Sequence, residues 1–233
     1  MAGSGGSGRR ILAVDDELQI LRALKATLRR EGHEVLTAAT MEEGLDVAAI
    51  SPVEAAIVDL LLPDGNGIEL CRRLREWSTM PIIVLSAVGD EVEKVRALRA
   101  GADDYVTKPF GPQELIARLE AVLRRSSAEP EGSVVNVAGL KVDLADHAVR
   151  RDGEELHLTP TEFDLLRMFV RNQRRLLTHR ALLSEVWGPE YADDVTVLRG
   201  QIANLRRKIE PAGCARRHYI RTEPGIGYRF DPK

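Results

Sequence analysis

The chain has 233 residues, room for one large domain or two ordinary ones. An apolar fraction of 44% and a charged fraction of 30% are those of a globular protein, and a formal net charge of −3 excludes a strong bulk polyanion binder and an acidic tail. Two cysteines, Cys71 and Cys214, offer neither metal-ligand spacing nor a disulfide framework and read as reduced thiols of a cytoplasmic protein. MAGSGGSG, residues 1–8, lacks the apolar core of a signal peptide and reads as an expression-tag remnant. No apolar run approaches the ~20 residues of a membrane span, so no membrane partner is expected.

Five apolar bursts follow: Ile11–Val14, Val35–Ala38, Ala55–Asp59, Ile82–Ser86 and Tyr105–Thr107. Helical patterns separate them over Glu17–Glu31, Met41–Ile50, Ile68–Trp77 and Glu91–Ala100, and Gln113–Arg125 closes the set. Strand and helix alternate five times, and the strands are continuous rather than alternating apolar runs. That pattern predicts a parallel sheet covered on both faces, an α/β domain over 9–125.

Residues 126–132, SSAEPEG, read as a linker. The remainder, 133–233, follows another pattern. Val134–Val137, Leu140–Asp143, Ala148–Arg151 and Glu154–Leu158, with turns at Ala138-Gly139 and Asp152-Gly153, predict a small antiparallel sheet. Thr159-Pro160-Thr161-Glu162 places an N-cap, an N1 proline and an N3 glutamate ahead of a helix to Asn172. Thr178 caps a second helix, to about Val186. Asp193 or Asp194 opens a third, to about Glu210, and a hairpin around Pro224-Gly225-Ile226-Gly227 ends the chain. In that third helix Leu198, Ile202, Leu205 and Ile209 share one apolar face. From Arg199 to Arg221 seven Lys or Arg (Arg199, Arg206, Arg207, Lys208, Arg216, Arg217, Arg221) face one acid, Glu210: a local basic surface suited to a polyanion.

The acids of the first half fall in a telling place. Ligands of a parallel sheet bind beyond the carboxyl ends of its strands. Asp15 and Asp16 follow the first strand, Asp59 ends the third, Ser86 ends the fourth and Lys108 follows the fifth. Taken alone, Asp15 or Asp16 would serve as a helix cap. Together, three carboxylates on one edge repel one another unless a cation sits among them. Oxygen-only ligands favour Mg²⁺, which shares its shell readily with phosphate. Ser86 and Lys108 could then hold the oxygens of a phosphoryl group on Asp59.

AVDDE, IVDLLLPDGNG, PIIVLSA and GADDYVTKPF, in that order over Arg10–Arg125, resemble the receiver domain of bacterial response regulators. The resemblance implies a flavodoxin-like (βα)5 fold with sheet order 2-1-3-4-5 and a sensor histidine kinase as phosphodonor. It makes Asp59 the phosphoacceptor, Asp15, Asp16, Asp59 and the Leu61 carbonyl the Mg²⁺ ligands, and Ser86 and Lys108 the phosphoryl contacts. Tyr105 becomes the aromatic switch and Pro109 a cis-peptide position. Apolar Leu61 and Val88, two residues beyond Asp59 and Ser86, imply slow self-dephosphorylation. The resemblance further implies a homodimer on phosphorylation, pairing Lys94 with Glu114, Asp104 with Arg118, and Asp103 with Arg125 across a two-fold axis.

LTPTEFDLL, LLSEVWG, LRGQIANLRRKIEP and IRTEPGIGYRF resemble the winged-helix effector domain of the OmpR/PhoB family, an α+β fold that binds double-stranded DNA at promoter half-sites, with RNA polymerase as a further partner. Arg199 and Asn204 are the expected base readers, since Arg and Asn suit guanine and adenine edges. Thr196, Gln201, Arg206 and Arg207 are expected on phosphates, and Arg221, Thr222 and Tyr228 on the wing. REWSTMPIIVLSA, HLTPTEFDLL, EVWGPEY and VLRGQIANLRRKIE are most similar to the KdpE-type regulators of potassium uptake, with a departure at Ala192–Val197. Another OmpR/PhoB-type regulon (phosphate, envelope or stress) stays open. So does a haloacid-dehalogenase-type Mg²⁺-dependent phosphatase, although Leu61 stands where that enzyme needs its second acid.

Overall fold

The computed structural model describes residues 8–87, 91–126, 134–210 and 219–232. The expectations resting on 1–7, Val88, 127–132, Cys214, Arg216, Arg217 and the side chain of Arg125 lie outside the described residues. The chain forms two compact units, Met1–Leu123 and Arg124–Lys233.

The first unit is built on β1 (Arg10–Val14), β2 (Glu34–Ala38), β3 (Ala55–Asp59), β4 (Ile82–Ala87) and β5 (Asp104–Lys108). They pair in parallel in the order β2-β1-β3-β4-β5. Between them run α1 (Leu18–Arg30), α2 (Met41–Ile50), α3 (Gly67–Arg75) and α4 (Glu91–Ala100), with α5 (Pro112–Ser126) last. Period-two alternation sorts β1 between faces. Ile11 and Ala13 join a core with Leu21, Leu24 and Leu28 of α1 and Leu115, Leu119 and Val122 of α5. On the other face α2 lies close enough that a Cβ on Gly44 would sit 3.0 Å from the Val14 side chain. Each fully buried Leu contributes about 1.5–3 kcal/mol. The same burial leaves Cys71 wholly enclosed and pushes its thiol up to about 12.

Local chemistry sets the helix starts. Thr40 Oγ1 accepts from Glu43 N at the head of α2, and Asp64 adds a second cap there by accepting from Met41 N at 2.7 Å and Glu42 N at 3.0 Å. Asn66 accepts from Ile68 N at the head of α3.

In the second unit β6 (Val134–Val137), β7 (Leu140–Asp143), β8 (Ala148–Arg151) and β9 (Glu154–Leu156) form an antiparallel sheet of order β9-β8-β7-β6. Helix α6 (Pro160–Arg171) starts on a full capping box: Thr159 N donates to Glu162 Oε2 at 2.7 Å, and Glu162 N returns the bond to Thr159 Oγ1. Strand β10 (Leu176–Thr178) leads into α7 (His179–Val186), and a 3₁₀ turn at Pro189–Tyr191 precedes α8 (Val195–Ile209), capped by Asp194. Strands β11 (Ile220–Glu223) and β12 (Gly227–Phe230) complete a sheet of order β10-β12-β11. The short strand β10 is an element the sequence reading lacks. Its three residues form a strand only because β12, some fifty residues on, pairs with them. Gly227 permits that approach, since a Cβ there would fall 1.9 Å from Leu177 O.

Candidate functional site

Asp59 ends a strand on which Ala55 to Val58 are wholly buried, and is itself 6% exposed. Parallel pairing of β1, β3, β4 and β5 brings Asp15, Asp16, Asp59, Ser86 and Lys108 to one sheet edge. The Lys108 ammonium lies 2.8 Å from Asp15 Oδ2 and 3.0 Å from Asp59 Oδ1. Asp15 also accepts from Glu17 N at 2.9 Å, the cap-like bond its position suggests. One carboxylate oxygen each from Asp15, Asp16 and Asp59 falls within 4.8 Å of the others. This oxygen-only cluster is able to hold a hard cation. Beside it Ser86 is 1% exposed, and its Oγ has no hydrogen-bond partner among the described residues. Such an orphan is costly unless a ligand completes it.

Burial raises the Asp59 carboxyl above its usual value, and the hydrogen bond and charge of Lys108 hold back part of that rise. Burial alone would lower the Lys108 ammonium, but its bonds to Asp15 and Asp59 outweigh that and raise it. Lys108 is thereby held as an ammonium between the two carboxyl groups at this edge. Leu61 stands at this edge 73% exposed, and the peptide Lys108-Pro109 is cis.

The structure corrects the charges expected at an interface. Asp103 is fully buried, and its Oδ2 accepts from Arg75 Nη2 at 2.8 Å and from Ile82 N at 2.9 Å. It anchors β4 to α3 and is not a surface charge. Asp104 is likewise fully buried, which corrects its place at an interface, and Arg118 binds it at 3.3 Å and Glu114 at 3.1 Å within the same chain. Lys94 stands 4.7 Å over the half-buried Tyr105 ring.

The basic helix α8 is also more buried than its apolar stripe suggests. Leu198, Ile202, Leu205 and Ile209 are buried as expected, but so are Gln201 at 1% and Asn204 at 3% exposure. Asn204 accepts from Arg207 Nη2. The assignments of Asn204 to bases and Gln201 to phosphates are therefore corrected: both amides belong to the packed side of the helix. Arg199 and Arg207 remain exposed, with Thr196, Ala203 and Arg206 half-buried. On the hairpin Arg221 and Thr222 are exposed, but Tyr228 is 4% exposed and packs edge-on to His179 at 5.6 Å, which corrects its assignment as a wing contact.

Comparison with known proteins agrees with this division. Residues 11–120 match the response regulator receiver domain, and 153–230 match the C-terminal domain of transcriptional regulatory proteins. The transcriptional regulatory protein KdpE of Mycobacterium tuberculosis (strain H37Rv) is 49% identical over 223 residues, covering 95% of this chain and 98% of the relative. The KDP operon transcriptional regulatory protein KdpE of Escherichia coli (strain K12) is 47% identical over 221 residues, covering 94% and 98%. Among solved structures a mutant of RitR superposes with a TM-score of 0.77 at 26% identity, covering 97% of this chain and 100% of that one. The chain belongs to the OmpR/PhoB-type response regulators, a receiver joined to a winged-helix DNA-binding domain. Its partners as a two-component regulator are DNA and a sensor kinase. No helix among the described residues is long and apolar enough to cross a membrane.

Proposed function

We propose that this regulator is switched by phosphorylation of Asp59 and that its targets are promoters of potassium-uptake genes. One observation carries the switch: Lys108 spans Asp15 and Asp59 at 2.8 and 3.0 Å, next to a buried, unpartnered Ser86 hydroxyl. An Asp59 oxygen attacks the phosphorus of the kinase's phosphohistidine. The P–N bond breaks, its electron pair leaves with the imidazole, and an acyl phosphate forms. Lys108 orients the nucleophile and balances charge on the transferred oxygens, and Ser86 gives its hydroxyl to one of them. Asp15, Asp16 and Asp59, with the Leu61 carbonyl, would hold Mg²⁺, which when bound would supply further charge neutralisation. Phosphorylation draws Ser86 toward Asp59 and Tyr105 inward from beneath Lys94. The face carrying Lys94, Glu114 and Arg118 then meets its counterpart in a second copy, and Arg118 exchanges its in-chain bonds to Glu114 and the buried Asp104 for symmetric ones. The dimer places two α8 helices on neighbouring half-sites, and RNA polymerase is the downstream partner.

Mg²⁺ stabilises the apo protein in this reading: at a hundredfold excess over its Kd the gain is about 2.7 kcal/mol. Thermal melting should shift upward with Mg²⁺, and the shift should vanish in Asp15→Asn. On DNA, Arg199→Ala should cost about 1–3 kcal/mol at one base position. Asn204→Ala should leave base preference unchanged and act on domain stability instead, as side-by-side binding titrations and melts would read.

The potassium assignment rests on the resemblance to KdpE-type chains and on the two KdpE relatives. Genome-wide occupancy of the wild type against Asp59→Ala tests it. Phosphorylation-dependent sites upstream of potassium-transport genes are expected, and an empty difference map would defeat the switch.

A further inference from the structure

We infer that Arg206 and Glu210 are positioning residues that fix the angle of the wing to the recognition helix α8, and that Arg206 is not a phosphate contact. The inference rests on how β11 is held. In the order β10-β12-β11 the strand β11 is an edge, bonded on one side only. Its first residue, Ile220, turns its N–H and C=O outward, toward the last turn of α8. Arg206 Nη2 donates to Ile220 O at 2.6 Å and Arg206 Nε to the same oxygen at 3.2 Å. Glu210 Oε1 accepts from Ile220 N at 3.2 Å and from Tyr219 N at 3.0 Å.

Arg206 stands in the last turn of α8, and Glu210 caps its end four residues on, its N–H donating to Arg206 O at 2.8 Å. Together they offer Ile220 a donor and an acceptor, as a neighbouring strand would. Arg206 reaches further along the hairpin, donating to Thr222 Oγ1 at 2.9 Å and lying 5.7 Å over the Tyr228 ring. Its planar fork is spent on the wing, and a lysine could not reproduce it. A helix that reads the major groove and a wing that reaches the next minor groove or backbone must hold a fixed mutual angle. This pair of side chains holds it.

The test uses the full-length protein and a duplex that the wild type has selected from a random-sequence pool. Affinity is measured across a range of KCl concentrations, with hydroxyl-radical footprints of each complex. Arg206→Met is expected to weaken binding about tenfold, with the wing's footprint lost while that of α8 stays. A phosphate contact would instead leave the footprint whole while lowering the slope of log K against log [salt] by about 0.9, which would overturn the inference. Glu210→Ala gives the sharper reading. Removing a negative charge beside DNA should by charge alone tighten binding. Positioning requires the wing footprint to fade and binding to weaken. Tighter binding with an intact footprint would overturn the inference. Because either variant could loosen the domain, Thr222→Val is the third arm. It should erode the wing footprint on its own and add nothing to Arg206→Met. Additive losses would count against a shared role.

Discussion

Asp59→Asn should abolish uptake of acid-labile phosphate from acetyl phosphate and with it any donor-dependent gain in DNA affinity. The amide carries no charge and offers no nucleophilic oxygen, so the loss should be complete rather than graded. Unfolding is not a route to the same result. Burial raises the Asp59 carboxyl, so its ionised form is held in the fold at a cost. That cost is absent below the ordinary 3.8, where the acid is neutral folded and unfolded, and is fully present above the raised folded value. At neutral pH the Asn chain escapes it, and Lys108 keeps Asp15 at 2.8 Å. Without Mg²⁺ the variant should therefore melt no lower than the wild type. The wild-type acyl phosphate should be long-lived under its apolar neighbour, and Leu61→Asn should shorten that lifetime. Autoradiography after removal of the donor reads both.

Gly67→Ala should damage the same site from the other side of the loop. A Cβ on Gly67 would lie 2.1 Å from the Asp59 carbonyl oxygen, 2.9 Å from its carbon and 3.0 Å from Leu60 Cα. These are backbone atoms at the end of a central strand, and Gly67 N is itself bonded to Leu60 O at 2.9 Å. Neither partner can turn aside as a side chain would. The expected cost is about 1–3 kcal/mol, typical of overpacking, together with weaker Mg²⁺ binding as the Asp59 end of β3 is displaced. Gly111→Ala is the matched control, because a Cβ there meets nothing within 4 Å. Equal melting points for the two variants would refute the argument.

The receiver's sheet and its edge were legible because both follow from chain direction. In a parallel sheet every strand points the same way, so residues ending apolar runs converge without any knowledge of side-chain packing. Asp15, Asp59, Ser86 and Lys108 could be placed on that ground. The second unit was harder at the level of side chains. The stripe of Leu198, Ile202, Leu205 and Ile209 locates one buried face of α8, but it does not give that face's width. Asn204 lies outside that stripe and Gln201 at its margin, and both are polar enough to read as outward-facing, whereas the surrounding fold encloses them. Arg206 finds its partner at Ile220 and Asp103 its partner at Arg75. Those pairs exist only after distant strands and helices have packed, and a charge read along the chain looks free until then. The family pattern had the same blind spot: it marked Asp103 as an interface charge, where the fold uses it as an internal anchor.

The grip on Ile220 has a consequence for the protein's solubility. An edge strand normally presents a row of unmet N–H and C=O groups, a template on which a second chain can add a strand and begin to aggregate. On β11 the first outward peptide pair is already engaged by Arg206 and Glu210, and the Arg206 side chain lies across the next outward residue, Thr222. The far edge of the sheet is β10, only three residues long. A sheet that must extend its hairpin toward DNA thus leaves little open strand of its own for a second copy to join.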